Sequence, residues 1–168
     1  MSKISASPTS IVGDTLVAAA TAALRNRRFV RAPIWLYRAR LGFVFGSRML
    51  MLEHIGRKSG ARRYVVLEVV DRPAPDAYVV VSGFGTRAQW FRNLQANPAA
   101  RVWAGLRVAA PVTARELSPE EAAASLRSYI TRHRRAWNAL KPAIENTYGA
   151  PIDENVPDIP MVELRLNS

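Results

Sequence analysis

The spacing of hydrophobic residues divides the chain into a helical N-terminal part and a strand-rich middle. Residues 1–10 are rich in Ser and Thr and read as a frayed terminus ahead of one domain over 11–168. From Ile11 to Arg28 the apolar positions recur at helical spacing and end on basic residues, which suits a helix C-terminus. Pro33 opens a short aromatic helix, Ile34 to Arg38. The period then shortens: Arg48 to Ile55 reads as a strand, Gly56 to Gly60 as a turn, and Arg63 to Val70 as a second strand. Tyr64-Val65-Val66-Leu67 is apolar on successive residues, so both faces of that strand should be covered.

Pro73 to Asp76 breaks the pattern, Ala77 to Ser82 makes a third strand, and Gly83-Phe84-Gly85 ends it. A helix from about Ala88 to Gln95 stops at Asn97-Pro98, and Arg101–Ala104 with Arg107–Leu117 reads as a hairpin about Gly105. Ser118-Pro119-Glu120-Glu121 combines an N-cap Ser, Pro at the first helical position and Glu at the third, a strong helix start. That helix should run through Arg135 and toward Leu140, with Pro142 as its interruption. After an acidic, proline-rich stretch from Gly149 to Asp158, a final strand from Ile159 to Leu166 completes the sheet. The expected architecture is α+β and mainly β: a roughly six-stranded antiparallel barrel with two or three helices against it.

Composition narrows the chemistry. The chain has no cysteine and only two histidines, His54 and His133, so thiolate catalysis and cysteine-ligated metals are excluded and a catalytic metal is poorly supported. A formal charge of +11 favours anionic partners. Nucleic acid is the weakest of them, because no helix shows a recognition pattern and no aromatic platform interleaves with the basic strands. No apolar run reaches bilayer length, and the expectation is a cytoplasmic protein. Arg25, Arg27, Arg28, Arg31, Arg38 and Arg40 leave open peripheral membrane contact through the N-terminal basic helix; packing of that helix on its own domain is the plainer reading.

Two segments could carry chemistry. In Gly56-Arg57-Lys58-Ser59-Gly60-Ala61-Arg62-Arg63, the glycines let backbone approach a ligand, Lys58 offers a point charge, Ser59 a hydroxyl, and the arginines planar forks for phosphate oxygens. It is not a Walker A loop, since Arg57 stands where that motif needs Gly before the Lys. By its residues alone the turn could equally be a solvated hairpin tip. In the second segment a strand end, the loop Ser82 to Gly85 and a helix start converge. Trp90 there either packs on a flat ring or belongs to the helix's core face.

Together, Leu50-Met51-Leu52-Glu53-His54-Ile55-Gly56-Arg57-Lys58-Ser59-Gly60, Arg63, and Trp90-Phe91-Arg92-Asn93-Leu94-Gln95-Ala96-Asn97-Pro98 resemble the deazaflavin (F420)-dependent nitroreductase family, which includes F420H2-dependent quinone reductase-like proteins. The resemblance covers about Arg38 to Leu117 and extends to the closing strand Ile159 to Leu166, and it implies a split β-barrel of the FMN-binding type. It also implies coenzyme F420 as cofactor, with FMN as the alternative that related barrels use. By position, Arg57, Lys58, Ser59 and Arg63 would meet the cofactor's phosphate and polyglutamate tail, while Ser82, Gly83, Gly85 and Trp90 would border its ring.

The implied reaction is hydride transfer to a small electron acceptor such as a quinone or nitro compound. A non-catalytic barrel binding a cofactor or fatty acid is the competing reading, and a homodimer is compatible with either. The chain departs from the family's nitroreductases at Arg62 and Val66, which often hold Pro, and at Gly83, which often holds Lys. Tyrosines that flank the substrate pocket would fall within Tyr129 to Ala139, where Tyr129 and His133 are the weak catalytic candidates.

Overall fold

The computed structural model describes residues 48–154 and 158–167. The frayed terminus 1–10, the amphipathic helix 11–28 and the aromatic helix at 34–38 lie outside the described residues. Six strands appear in the order β1 (Met49–Ile55), β2 (Arg62–Asp71), β3 (Ala77–Val81), β4 (Ala99–Ala104), β5 (Arg107–Glu116) and β6 (Met161–Leu166). A short 3-10 turn, Gly85–Arg87, leads into helix α1 (Gln89–Ala96), and helix α2 (Pro119–Tyr148) separates β5 from β6. The strands close into an antiparallel barrel in the order β1-β2-β3-β6-β5-β4, so each of the six is paired on both sides.

Strand alternation sorts the side chains. Leu50 and Leu52 of β1, Val65, Leu67 and Val69 of β2, and Tyr78 and Val80 of β3 join one interior cluster. Trp90, Phe91 and Leu94 of α1 enter the same cluster, so this short helix closes one end of the barrel. Because every strand pair is antiparallel, that end also carries the β1–β2 turn and the loop leaving β3. The mouth of the barrel thus gathers both segments singled out by the sequence.

On the outer wall α2 covers a second cluster that includes Val70, Val79, Leu126 and Trp137. Its start follows the sequence: the Ser118 hydroxyl accepts from the Glu121 N–H at 3.3 Å, and the Glu121 carboxylate accepts from the Ser118 N–H at 2.8 Å. Its far end differs from expectation. Pro142 does not end the helix, which runs on to Tyr148 and caps with Gly149 at φ 85°. The break falls earlier, at His133, whose φ −136° and ψ 40° are not helical. Tertiary contacts hold the segment beyond it: Trp137 is 3% exposed and donates its Nε1–H to Glu154 at 2.7 Å, and Lys141 reaches the same carboxylate at 3.1 Å. These anchors offset the hydrogen bond lost at an interior proline. Among the described residues no helix is long and apolar enough to cross a membrane.

Candidate functional site: a basic cleft at the barrel mouth

The β1–β2 turn is wound tightly. The Gly60 N–H reaches the Gly56 carbonyl at 2.7 Å, the Gly56 N–H reaches the Ala61 carbonyl at 2.8 Å, and Gly60 takes φ 65°, a left-handed conformation suited to glycine. Gly56 is needed for a different reason. A Cβ there would lie 2.8 Å from Ser59 Oγ and 2.9 Å from Arg63 Nε, so the missing side chain leaves room for both groups to fold over the turn. The Arg63 guanidinium in turn donates to Ser59 Oγ at 3.4 Å.

Helix α1 fixes the turn from above. Asn93 Oδ1 accepts from the Arg57 backbone N–H at 3.1 Å and from its guanidinium at 3.0 Å, and Gln89 Oε1 accepts from the same guanidinium nitrogen at 3.1 Å. The other half of the Asn93 amide points into the barrel, where Nδ2 lies 3.0 Å from His54 Nδ1. An amide nitrogen can only donate, so Nδ1 is the acceptor and His54 carries its proton on Nε2. Burial, reinforced by the charge of Arg63 paired opposite it across the strands, pushes the His54 pKa down to about 4. The imidazole is neutral at physiological pH and suited to accept this bond.

Between turn and helix lies a cleft of about 430 Å³ lined by Gly56, Arg57, Lys58, Ser59, Arg63, Gln89, Arg92 and Asn93. Arg57, Lys58, Arg63 and Arg92 line it without any carboxylate, and among the described residues none of the four forms an ion pair. The remaining lining offers a hydroxyl and two amides. Four uncompensated cations and neutral donors suit an extended anion with several charges. The donor set does not suit a metal, and among the described residues no acidic or histidine cluster could hold one.

The structure therefore brings together Arg57, Lys58, Ser59 and Arg63, and adds Gln89, Arg92 and Asn93 from α1. These three stand at i, i+3 and i+4, one face of a helix, which is the signal by which they could have been picked out. The other candidates lie elsewhere. The Ser82 side chain is fully buried and donates to the Gly85 carbonyl at 2.7 Å, so it staples its own loop; Gly83 stands in open space beside it. Trp90 is 7% exposed, meets Phe91 edge-on at 6.0 Å and packs in the barrel interior. Tyr129 and His133 sit on α2 against the outer wall, with ring centroids 5.3 Å apart. The Tyr129 hydroxyl donates to Glu68 at 3.0 Å, and burial together with that carboxylate pushes its pKa up to about 12. Glu68 lies five residues beyond Arg63 on β2, about 16 Å away along the strand at ~3.3 Å per residue.

The sequence profile of the F420H(2)-dependent quinone reductases matches residues 29–145. The chain belongs to this family. It is accordingly an F420-dependent oxidoreductase, and its barrel is the one the family resemblance implied. A solved F420-H2 dependent reductase, FDR-A, is similar at 24% identity over 70% of this chain and 94% of its own, with a TM-score of 0.51. A protein solved as a domain-swapped dimer is 22% identical over 95% of this chain and 100% of its own, with a TM-score of 0.52. HutZ, the heme storage protein from Vibrio cholerae, shares 14% identity over 79% of this chain and 91% of its own at a TM-score of 0.50. At these identities the likeness is one of fold. No curated protein matches the chain.

The cleft yields a steric prediction. Replacing Gly56 with Ala leaves the backbone unstrained, because Gly56 is not among the positive-φ positions, but displaces the Ser59 and Arg63 side chains. Affinity for F420 should fall severalfold while the thermal midpoint moves by no more than about 2 °C, as fits a change within ~0.5 kcal/mol. Parallel fluorescence titration and melting measurements check this. A large stability loss with unchanged affinity would mean that Gly56 serves folding instead.

Proposed function

We propose that the basic cleft holds the phosphate and polyglutamate tail of F420, and that the enzyme uses this grip to present the cofactor's ring to a quinone or other small electron acceptor. The observation that carries the reading is the cleft itself: Arg57, Lys58, Arg63 and Arg92 around a glycine-opened turn with no carboxylate in the lining. Within the cleft each residue has a distinct task. Lys58 supplies a mobile point charge and the three arginines planar forks for phosphate or carboxylate oxygens. The Ser59 hydroxyl, already accepting from Arg63, is free to donate to an anion in the cleft.

When bound, F420 supplies the hydride chemistry; the protein contributes binding, orientation and charge. This division accounts for a barrel mouth built as an anion cradle from cations, amides and a hydroxyl. Tail binding anchors one end of a long molecule, so its free energy is available to orient the other. Titration of the full-length protein with F420, followed by the change in tryptophan or deazaflavin fluorescence, tests the assignment against the cleft variants described in the Discussion.

We extend the reading to a homodimer, on the strength of the similar fold solved as a domain-swapped dimer. Sedimentation velocity at micromolar concentration should give twice the 18.6 kDa chain mass, and a single monomeric species would contradict it.

A further inference from the structure

We propose that Asn93 is a positioning residue that sets the basic turn for anion capture through Arg57, with His54 fixing the orientation of its amide. The inference rests on the reading of the cleft as the tail site and goes beyond it by assigning positioning work to Asn93, whose amide is engaged at both ends, and to His54, which lies behind the lining. Asn93 is 3% exposed and His54 4% exposed, and both are polar side chains sunk at the top of an apolar barrel. A buried amide is costly unless each of its ends is satisfied. Here Oδ1 accepts from two Arg57 donors and one N–H of Nδ2 donates a hydrogen bond to His54 Nδ1, so the amide has one stable orientation.

The chemistry of the hold matters as much as its geometry. The Arg57 guanidinium is gripped by two neutral oxygens, Asn93 Oδ1 and Gln89 Oε1. A carboxylate in either place would grip it harder and cancel the charge that the cleft needs. Amide acceptors fix the side chain and leave its positive charge available. The bond to the Arg57 backbone N–H ties the turn itself to α1, so Lys58 and Ser59 are presented from a fixed frame. Ordering these groups before the ligand arrives removes part of the entropy lost on binding.

The test is a double-mutant cycle on the full chain, read as the dissociation constant of F420. Asn93→Ala should weaken binding by about ten-fold, and in the Arg57→Ala background the same change should shrink to about two-fold or less. A full ten-fold effect in the Arg57→Ala background overturns the proposal, since Asn93 would then act independently of Arg57. Wild-type affinity in Asn93→Ala beside a weakened Arg57→Ala overturns it too, and leaves the cleft reading standing. Wild-type affinity in Arg57→Ala rejects the cleft reading itself. Asn93→Asp guards against a variant that fails to fold, because it keeps an acceptor for both Arg57 donors. It should weaken F420 at least as much as Asn93→Ala, by cancelling the Arg57 charge. It also turns an acceptor toward His54 Nδ1, so the imidazole should titrate at higher pH than in the wild type when followed by NMR. An unmoved His54 titration in that variant overturns the role given to His54.

Discussion

Removing two of the cleft's cations together, Lys58→Ala with Arg63→Ala, is expected to weaken F420 binding by about 100-fold or more while leaving the fold intact. The magnitude follows from charge-assisted hydrogen bonds worth roughly 1.5–3 kcal/mol each, so that losing two costs about 3 kcal/mol or more. The fold should survive because, among the described residues, neither side chain forms an ion pair or enters a hydrophobic cluster; the bond at stake is the exposed Arg63 contact to Ser59, at 3.4 Å. The loss should be steepest at low ionic strength, since the lost attraction is between an open cationic cleft and a polyanion. Titrations of variant and wild type at two salt concentrations, with melting curves beside them, check the claim. Equal affinities would remove the cleft from the cofactor site.

The second large effect concerns stability and pH. His54 has its pKa lowered to about 4 from an ordinary 6.5, with burial the main cause and the Arg63 charge the second. Above about pH 6.5 the imidazole is neutral in folded and unfolded chains alike, and the native arrangement keeps its full stability. As pH falls below that value the unfolded chain takes up a proton that the folded chain refuses until about pH 4. Stability therefore declines across this window and levels off below it. Each tenfold difference in proton affinity between the two states is worth ~1.4 kcal/mol, so the decline attributable to His54 is about 3 kcal/mol. Protonation would also take Nδ1 away from Asn93, so the loosening reaches the turn. Urea unfolding from pH 7.5 to 4 should show a steeper loss for the wild type than for His54→Asn, which lacks this imidazole. Parallel profiles for the two proteins would show that the imidazole is not held neutral by the fold.

Much of the barrel was legible because its signals are local. The strand and turn pattern from Arg48 to Gly60, the continuous apolar run of β2 and the capping box at Ser118 each report a short-range constraint. The strand boundaries accordingly fall within two residues of expectation. Pro142 misled because its local cost is outweighed by distant partners: Glu154 holds Trp137 and Lys141, and Glu145 accepts from the Ile152 N–H at 2.9 Å. No window of sequence shows that such anchors exist.

The site divides in the same way. Arg57, Lys58, Ser59 and Arg63 form one continuous turn and could be selected as a unit, and the structure keeps them together. The contributions of Gln89, Arg92 and Asn93 depend on α1 folding back over the barrel mouth, about 30 residues further along the chain. Trp90 illustrates the converse. The helix carries apolar residues at Trp90, Phe91 and Leu94 as well as polar ones at Gln89, Arg92 and Asn93, and the closed barrel decides which group faces inward. Trp90 packs in the barrel interior, one of the two placements that helical spacing had left open.

The most direct test of the central claim uses the cofactor's own structure. Wild-type protein and the Lys58→Ala/Arg63→Ala variant are each titrated with F420 and with the deazaflavin ring and ribityl chain lacking the phosphate and glutamates. If the cleft holds the tail, the wild type prefers the complete cofactor by about 100-fold or more, and the variant loses most of that preference while binding the tail-less form as the wild type does. An undiminished preference in the variant would contradict the account and place the tail elsewhere on the protein.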